Sequence, residues 1–211
     1  AQAAAKKEIS AKVNGSVKAV LEKQGDSWHL TTGDEEEDAQ ILSSRIVYLK
    51  TTKGSDITTG YYAFNKKGIL DLRRTFHVLD TKIMDTRFKG KYYFGGENGK
   101  LWVNKRDWTQ IGKKKYYLSR TGRMSVNTWV QGYYLKDDGQ IAKNMKTPDG
   151  SYVDCDGRKC KKEEMSLSSL KKQLQSMING YSGEWSVYVK DLKTGDVISI
   201  NDKAMKPASV I

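Results

Sequence analysis

Ser209 is the residue of this 211-residue sequence whose setting best suits covalent chemistry. It stands in the final segment, Pro207-Ala208-Ser209-Val210-Ile211. A serine becomes an acyl-accepting nucleophile when a lysine one helical turn later, in the pattern Ser-x-x-Lys, takes up its proton. The lysine of such a pattern would stand directly after Ile211, so the printed sequence ends one residue before the motif is complete. We therefore expect this chain alone to lack hydrolase activity.

Tyrosines followed five or six residues later by a glycine form the second chemically informative pattern, because aromatic rings bind sugars and cations by face contacts. Aromatic strands on either side of a turn glycine predict β-hairpins, which must stack because each is too small to bury a core. The fold expected for the middle of the chain is therefore mainly β, a solenoid-like stack of β-hairpin repeats. The units run from Tyr61-Tyr62 to Gly68, Tyr92-Tyr93 to Gly99, Tyr116-Tyr117 to Gly122, Tyr133-Tyr134 to Gly139, and Tyr152 to Gly157.

The best-formed of these units resemble a known repeat family. Residues 108–118 (Trp-Thr-Gln-Ile-Gly-Lys-Lys-Lys-Tyr-Tyr-Leu), Gly122-Arg123-Met124 and residues 129–135 (Trp-Val-Gln-Gly-Tyr-Tyr-Leu) are similar to the cell-wall-binding repeats of Gram-positive surface proteins. Those are the choline-binding and glucan-binding families. The resemblance implies stacked hairpins whose aromatics form shallow ligand sites between repeats. The ligand-binding candidates, by match to the family's aromatics, are Trp108, Tyr117, Trp129 and Tyr134.

The positive charge of the chain is concentrated in the same region. Residues 50–162 carry 25 Lys/Arg and 11 Asp/Glu, a net charge of +14, whereas residues 1–49 carry −2 and residues 163–211 are neutral. A basic segment implies nucleic acid, acidic lipid headgroups or phosphate-bearing wall polymer as a partner, or else a merely solvated surface. Lysines around the repeats would repel a cation such as choline. We therefore favour a wall polymer or glycan (teichoic acid, glucan or peptidoglycan) over choline, and both over single-stranded nucleic acid.

The two cysteines, Cys155 and Cys160, flank an Asp-Gly turn signal. They are a disulfide candidate if the protein is exported, and free thiols otherwise. Two thiolates with only His29 and His77 elsewhere make a poor zinc site, so we expect no metal and no cofactor. No stretch approaches the roughly 20 apolar residues that span a bilayer.

The first 49 residues carry weaker signals. Alternating apolar residues around Asn14-Gly15 predict a hairpin, and Ile46–Leu49 predicts a strand. The acidic run Gly33–Asp38 predicts an exposed loop. We interpret residues 1–49 as an N-terminal segment, or as a degenerate start of the repeat array.

The last 49 residues predict a small α+β fragment. Leu167, Leu170, Leu174 and Ile178 lie on one helical face, with Ser166 as the expected cap and Asn179-Gly180 as the expected end. Alternation predicts strands over residues 185–190 and 197–200, which are antiparallel across a turn at Lys193-Thr194-Gly195-Asp196.

This order of helix, strand, turn and strand before Pro207-Ala208-Ser209 resembles the start of the class A β-lactamase and penicillin-recognising family, over residues 166–211. The resemblance implies that Ser209 is the acylated nucleophile. The expected domains are residues 1–49, the basic aromatic repeats at 50–162, and the start of a hydrolase at 163–211. Together they indicate a secreted, cell-wall-associated protein whose repeats tether a β-lactamase-like serine hydrolase. The alternative is a non-catalytic wall- or glycan-binding module.

Overall fold

Short antiparallel strands joined mostly by tight turns make up most of the chain, as alternating apolar residues and regularly placed glycines dictate. The computed structural model describes residues 7–201. They divide after Ser125 into two compact units. The predicted class, mainly β with a C-terminal helix followed by two antiparallel strands, is confirmed.

The first unit holds nine strands and one α-helix within residues 7–125. They are β1 (Glu8–Val13), β2 (Val17–Gln24), β3 (Ser27–Thr31), α1 (Glu35–Leu42), β4 (Ile46–Thr51), β5 (Gly60–Ala63), β6 (Thr75–Ile83), β7 (Thr86–Phe94), β8 (Asp107–Ile111) and β9 (Lys114–Leu118).

The second unit holds seven strands and one α-helix within residues 126–201. They are β10 (Thr128–Val130), β11 (Tyr133–Leu135), β12 (Met145–Lys146), β13 (Tyr152–Val153), β14 (Lys159–Cys160), α2 (Lys162–Ile178), β15 (Val187–Lys190) and β16 (Val197–Ile200).

An antiparallel sheet in the order β3-β2-β1-β4-β5 opens the first unit. The predicted hairpin at Asn14-Gly15 joins β1 to β2, and both turn residues have positive φ, 47° and 100°. Alternation along the strands turns Val13, Leu21 and Leu49 fully into the core. The domain boundary expected between residues 49 and 50 falls inside β4, and the sheet continues to β5.

The acidic run is helical and not the exposed loop that its charge suggested. Asp34 is the N-cap of α1, and its Oδ1 accepts hydrogen bonds from the backbone N–H groups of Glu36 and Glu37, both at 2.9 Å. Negative side chains in the first turn of a helix are favoured by the helix dipole. The charge pattern that indicated a loop is therefore also a helix-start pattern, and the buried Ile41 and Leu42 decide between the two.

The same turn follows the tyrosine strand in successive units. After β9, the N–H of Ser119 donates to the carbonyl of Arg123 (2.8 Å), and the N–H of Gly122 donates to the carbonyl of Ser119 (3.0 Å). Each turn glycine has positive φ, from 72° to 85°, which strains any other residue. The turns close between equivalent residues, namely Asn65 with Ile69, Gly96 with Lys100, Ser119 with Arg123, Lys136 with Gln140, and Asp154 with Arg158.

Close approach of the turns at Gly68, Gly99, Gly122 and Gly157 to an earlier segment stacks one unit on the next. A Cβ on Gly122 would lie 2.7 Å from the carbonyl oxygen of Trp102, and one on Gly68 would lie 2.6 Å from that of Leu30. Glycine at this position thus serves both the turn and the stack. Main-chain hydrogen bonds cross the same contact, because Tyr93 N–H donates to the Gly122 carbonyl at 3.0 Å.

Helix α2 begins at Lys162, four residues before the predicted start at Ser166. Glu164 Oε2 accepts the N–H of Lys161 (2.8 Å), so this glutamate and not Ser166 satisfies the first turn. The predicted end holds, with Asn179 as the C-cap. None of the helices described is both long enough and apolar enough to cross a membrane.

Strands β15 and β16 form the predicted antiparallel hairpin, and Lys193-Thr194 lies in its turn as expected. A two-stranded ribbon is marginal alone and needs cover on one face. Helix α2 packs against β16, and the alternating residues Ile198 and Ile200 are buried. The helix therefore covers one strand of the hairpin, although no residue of α2 is itself fully buried and Leu170 of the predicted apolar face is exposed.

Cys155 and Cys160 are free thiols in the structure. Cys160 lies opposite Tyr152, whereas Cys155 lies in the turn beyond Val153. The disulfide expected for an exported protein stays a prediction. Burial raises the pKa of the Cys160 thiol, which keeps it protonated and less nucleophilic.

Gly122 serves both the turn and the stacking contact, and comparing two alanine substitutions separates these roles. Gly122→Ala adds a backbone clash to the positive-φ strain, whereas Gly112→Ala, at φ 60° with nothing within 4 Å, adds only the strain. We expect a loss of unfolding free energy of about 1 kcal/mol for Gly112→Ala and roughly 2 kcal/mol more for Gly122→Ala. Urea denaturation measures both. Equal losses would show that the close approach contributes nothing.

Candidate functional site

Two tryptophan–tyrosine pairs occupy equivalent places in two hairpins. Trp108 on β8 is directly opposite Tyr117 on β9, with ring centroids 5.5 Å apart at 79°. Trp129 on β10 is directly opposite Tyr134 on β11, with centroids 5.5 Å apart at 69°. Edge-to-face contact between cross-strand partners follows from the register, since directly opposed side chains share one face. The structure thus brings the four predicted residues together as two pairs.

Burial separates the two members of each pair. Tyr117 and Tyr134 expose only 9% and 7% of their surface and belong to the core, whereas Trp108 and Trp129 are half-buried. Each tyrosine therefore acts chiefly as the support on which the tryptophan rests. The indole rings are the parts that a ligand can reach.

A lysine lies over the tryptophan in each pair. The Nζ atom of Lys115 is 5.6 Å from the ring centroid of Trp108, and that of Lys159 is 5.7 Å from the ring centroid of Trp129. Ammonium groups at this distance interact favourably with the ring face. Each site therefore combines a flat apolar ring with a positive charge over its face.

A third set with the same composition was missed by the sequence analysis. Trp102 lies 5.6 Å from Tyr93 between centroids, and Lys105 Nζ is 5.4 Å from the Trp102 ring. Trp102 and Tyr93 are not cross-strand partners in one hairpin, so the spacing of the other two pairs does not find them. The position of Trp102 directly after a turn glycine and an apolar residue, Gly99-Lys100-Leu101, is the signal that would have indicated it.

Asp149 fixes the second tryptophan and was also not predicted. Its Oδ2 accepts a hydrogen bond from Trp129 Nε1 at 2.7 Å, and its Oδ1 accepts one from Thr147 Oγ1 at 2.6 Å. Hydrogen bonds from Thr147, Trp129 and Ser151 hold the pKa of Asp149 well below its ordinary value. Thr-Pro-Asp-Gly is visible as a turn signal, but its partner lies 20 residues earlier, which no local pattern reveals.

Ser209 lies outside the described residues, so the structure gives no geometry for the predicted nucleophile. In the part of the chain that is described, no group of three or more His, Cys, Asp or Glu side chains could hold a metal ion.

Two segments match known families. Residues 126–158 match the family model of the choline-binding repeat, and this segment includes the pair Trp129 and Tyr134. Residues 169–211 match that of the β-lactamase enzyme family, and this segment includes most of α2, the β15–β16 hairpin and Ser209. Both resemblances drawn from the sequence are thereby confirmed over these segments.

Solved structures similar to the chain come from Streptococcus pneumoniae. The modular autolysin LytC is 21% identical with a TM-score of 0.30, over 48% of this chain and 26% of the autolysin. The same autolysin in complex with a synthetic peptidoglycan ligand is 21% identical with a TM-score of 0.29, over 47% and 26%. The choline-binding domain of CbpL is 21% identical with a TM-score of 0.27, over 66% and 85%. The chain thus spans about a quarter of the length of the autolysin. No curated protein gives a significant match.

The network around Asp149 makes a prediction about acid stability. A lowered folded-state pKa stabilises the fold above the unfolded-state value of 3.8, and this contribution is lost as pH falls through the folded-state value. The Tm of Asp149→Asn should therefore lie below that of the wild type by a constant amount above about pH 4, and the difference should shrink below that. Asp137→Asn, on a neighbouring turn, is the control and should leave Tm unchanged. A difference that persists unchanged at pH 2 would contradict the assignment.

Proposed function

We propose that the aromatic hairpins bind a cell-wall polymer or glycan and hold a β-lactamase-like serine hydrolase domain at the wall. The observation that carries the binding half is the recurrence of one arrangement: a half-buried tryptophan resting on a core tyrosine with a lysine over its ring. Each tryptophan keeps part of its ring exposed beside a buried tyrosine, so a ligand can reach that part of the ring. Residues 50–162 are the repeat region in this proposal, and residues 163–211 are the start of the hydrolase.

Ring and lysine suit an anionic or sugar-containing polymer. The apolar face of a sugar packs on indole, and the adjacent ammonium attracts a phosphate or carboxylate of the same chain. Each contact is weak because the rings are only half-buried and the charges are solvated. Several such sites on one chain, meeting several units of one polymer, give a total affinity far above that of any single site.

A second ligand is favoured by the match of residues 126–158 to the choline-binding repeat. A quaternary ammonium group binds aromatic faces at about 0.5–2 kcal/mol per contact. The lysines over Trp108 and Trp129 would have to move for either a sugar or choline to stack on that ring face, but their positive charge repels only choline. Polymer backbone or glycan is therefore the first candidate, and choline carried on the polymer is the second.

The hydrolase half rests on the match of residues 169–211 and on Ser209 within it. A nucleophilic serine at the start of a helix is activated by a lysine one turn later, and backbone N–H groups there stabilise the developing oxyanion. The alternative is that the protein is a non-catalytic wall-binding module. In either case we propose a secreted protein at the cell wall or cell surface.

Wall binding is tested by sedimenting the chain with purified Gram-positive cell walls. Replacing both Trp108 and Trp129 with alanine removes two of the proposed sites, and the affinity should fall by at least about tenfold. Trp185→Ala removes a tryptophan that is 48% exposed and also contacts a tyrosine, but lies outside the repeats; it should change the affinity less than about twofold. Equal losses in both variants would contradict binding through the aromatic pairs.

The same assay separates the ligands. Raising the salt concentration from 0.05 to 0.5 M should release the protein if phosphates or carboxylates of the polymer are bound, because exposed charge pairs are screened. Release by free choline at low salt would instead identify the second candidate. If the chain binds single-stranded nucleic acid but does not sediment with cell walls, both ligand candidates are overturned.

The nucleophile is tested on the protein isolated from its host. A fluorescent penicillin should label Ser209, and peptide mapping should find the acyl group on that residue. Ser209→Ala should abolish labelling, whereas Ser166→Ala, on the exposed side of α2, should not. Absence of label in a protein that still binds walls would support the non-catalytic alternative.

A further inference from the structure

A basic pocket in the first unit is separate from the aromatic pairs. It has a volume of about 480 Å³ and an apolar base that includes Phe64 and Leu70. Its charged lining consists of Arg45, Lys66, Asp71, Arg73 and His77. With a neutral histidine the net charge of this lining is positive, which suits an anion.

Some charged side chains of the pocket are paired with one another and others are not. Arg73 donates from Nε and Nη2 to the two oxygens of Asp71, at 2.9 and 2.7 Å, so these two residues neutralise each other. Neither Arg45 nor Lys66 pairs with a carboxylate within residues 7–201. Two positive charges therefore remain available to a ligand.

His77 contributes a buried polar atom that no hydrogen bond satisfies within residues 7–201. Its Nε2 is 3.5 Å from Asp71 Oδ2 without bonding to it, and its ring packs edge-on against Phe94. Burial lowers the pKa of His77, Asp71 opposes this, and Arg73 and Arg45 lower it further. A buried polar atom without a hydrogen-bond partner costs free energy. A ligand that forms a hydrogen bond with Nε2 removes this cost, which favours binding.

The backbone of Arg45 is held in a conformation that normally calls for glycine. Its φ is 61°, just after the end of α1. A main-chain hydrogen bond holds Arg45 in this conformation: Phe64, directly after β5, donates its N–H to the carbonyl of Arg45, directly before β4, at 2.9 Å. Glycine would occupy this position with less strain, yet the residue present carries a guanidinium to the pocket. A strained residue that lines a pocket is a reason to test its side chain for a function.

We propose that this pocket binds the phosphate group of a phosphorylated polyol or sugar, through Arg45, Lys66 and His77. Phosphate alone would leave most of the volume empty, whereas the apolar base accommodates the carbon skeleton of such a ligand. Arginine and lysine supply charge-assisted hydrogen bonds to the phosphate oxygens, and Nε2–H of His77 supplies another. The site shares no residue with the aromatic pairs, so its failure would leave the wall-binding proposal standing.

Titration of the chain with glycerol 3-phosphate, observed through the imidazole NMR signals, tests the proposal. The chain has only two histidines, and His29 does not line the pocket, so it serves as the internal reference. The His77 signals should shift and the pKa of His77 should rise on binding, because a nearby anion favours the imidazolium. Glycerol should leave them unchanged. Equal shifts with glycerol, or equal shifts at His29, would overturn the proposal.

Arg45→Gly distinguishes a binding role from a structural one. It relieves the backbone strain and removes one charge, so Tm should stay equal or rise while the affinity for glycerol 3-phosphate falls by about fivefold. Lys82→Gln removes an exposed charge elsewhere in the unit and should change the affinity less than about twofold. Unchanged affinity in Arg45→Gly would overturn the assignment.

The ligand source is resolved by comparing a phosphate monoester with a diester. Tighter binding of glycerol 3-phosphate would assign the pocket to a free phosphorylated polyol. Tighter binding of glycerophosphoglycerol would assign it to a unit of a polymer with phosphodiester links. If the folded wild-type chain binds neither the monoester nor the diester, and neither compound changes its Tm, the proposal is overturned.

Discussion

The contact between a turn glycine and the carbonyl of an earlier segment is the constraint on which the repeat region depends. At Gly68 and Gly122 the space for a side chain is taken by the carbonyl oxygens of Leu30 and Trp102. The same residue must have positive φ to close its own turn. The missing Cβ of glycine allows both the positive φ of the turn and the close contact with the carbonyl. Turn closure and stacking therefore depend on the same residue, and a correctly formed hairpin can pack against its neighbour.

Within this stack, some aromatic residues are buried and support others, which stay partly exposed and can contact a ligand. The second tyrosine of a unit faces inward and is almost fully buried, as Tyr117 and Tyr134 show. The tryptophan across the strand rests on its edge and keeps part of its ring exposed. Lys115 and Lys159 lie over the rings of Trp108 and Trp129, so the surface of each hairpin combines an apolar ring with a positive charge. Such a surface favours long, repetitive and anionic ligands over small neutral ones.

The sequence predicted those parts of the fold that depend on local patterns. Strands, turn glycines, the Asn14-Gly15 hairpin, and the helix and hairpin after residue 160 all follow from spacing and residue type, and each is observed. The start of α2 was wrong by one turn because Glu164 and Ser166 are both good residues for a helix start, and only the hydrogen bond selects one. The acidic run was misassigned because negative charge suits both a solvated loop and a first helical turn.

Features that join distant residues were beyond sequence reasoning. The Trp129–Asp149 hydrogen bond, the Trp102–Tyr93 contact and the pocket around His77 each combine segments whose distance in sequence carries no signal. The two paired tryptophans and their tyrosines were identified by their match to the aromatics of the repeat family, and the strand register of the structure shows that each pair lies directly opposite. Burial then showed which member of each pair a ligand meets.

Separation of the glycine turns from the exposed rings has an evolutionary consequence. The turns are closed by glycines and main-chain atoms, whereas the lysines over the rings, Lys115 and Lys159, lie on strands and not in the turns. Ligand preference can therefore change by single substitutions of these lysines while the fold is kept. A duplicated hairpin would arrive with its stacking surface intact and a binding surface free to diverge. An array built in this way is a means of acquiring new specificities at low risk to stability.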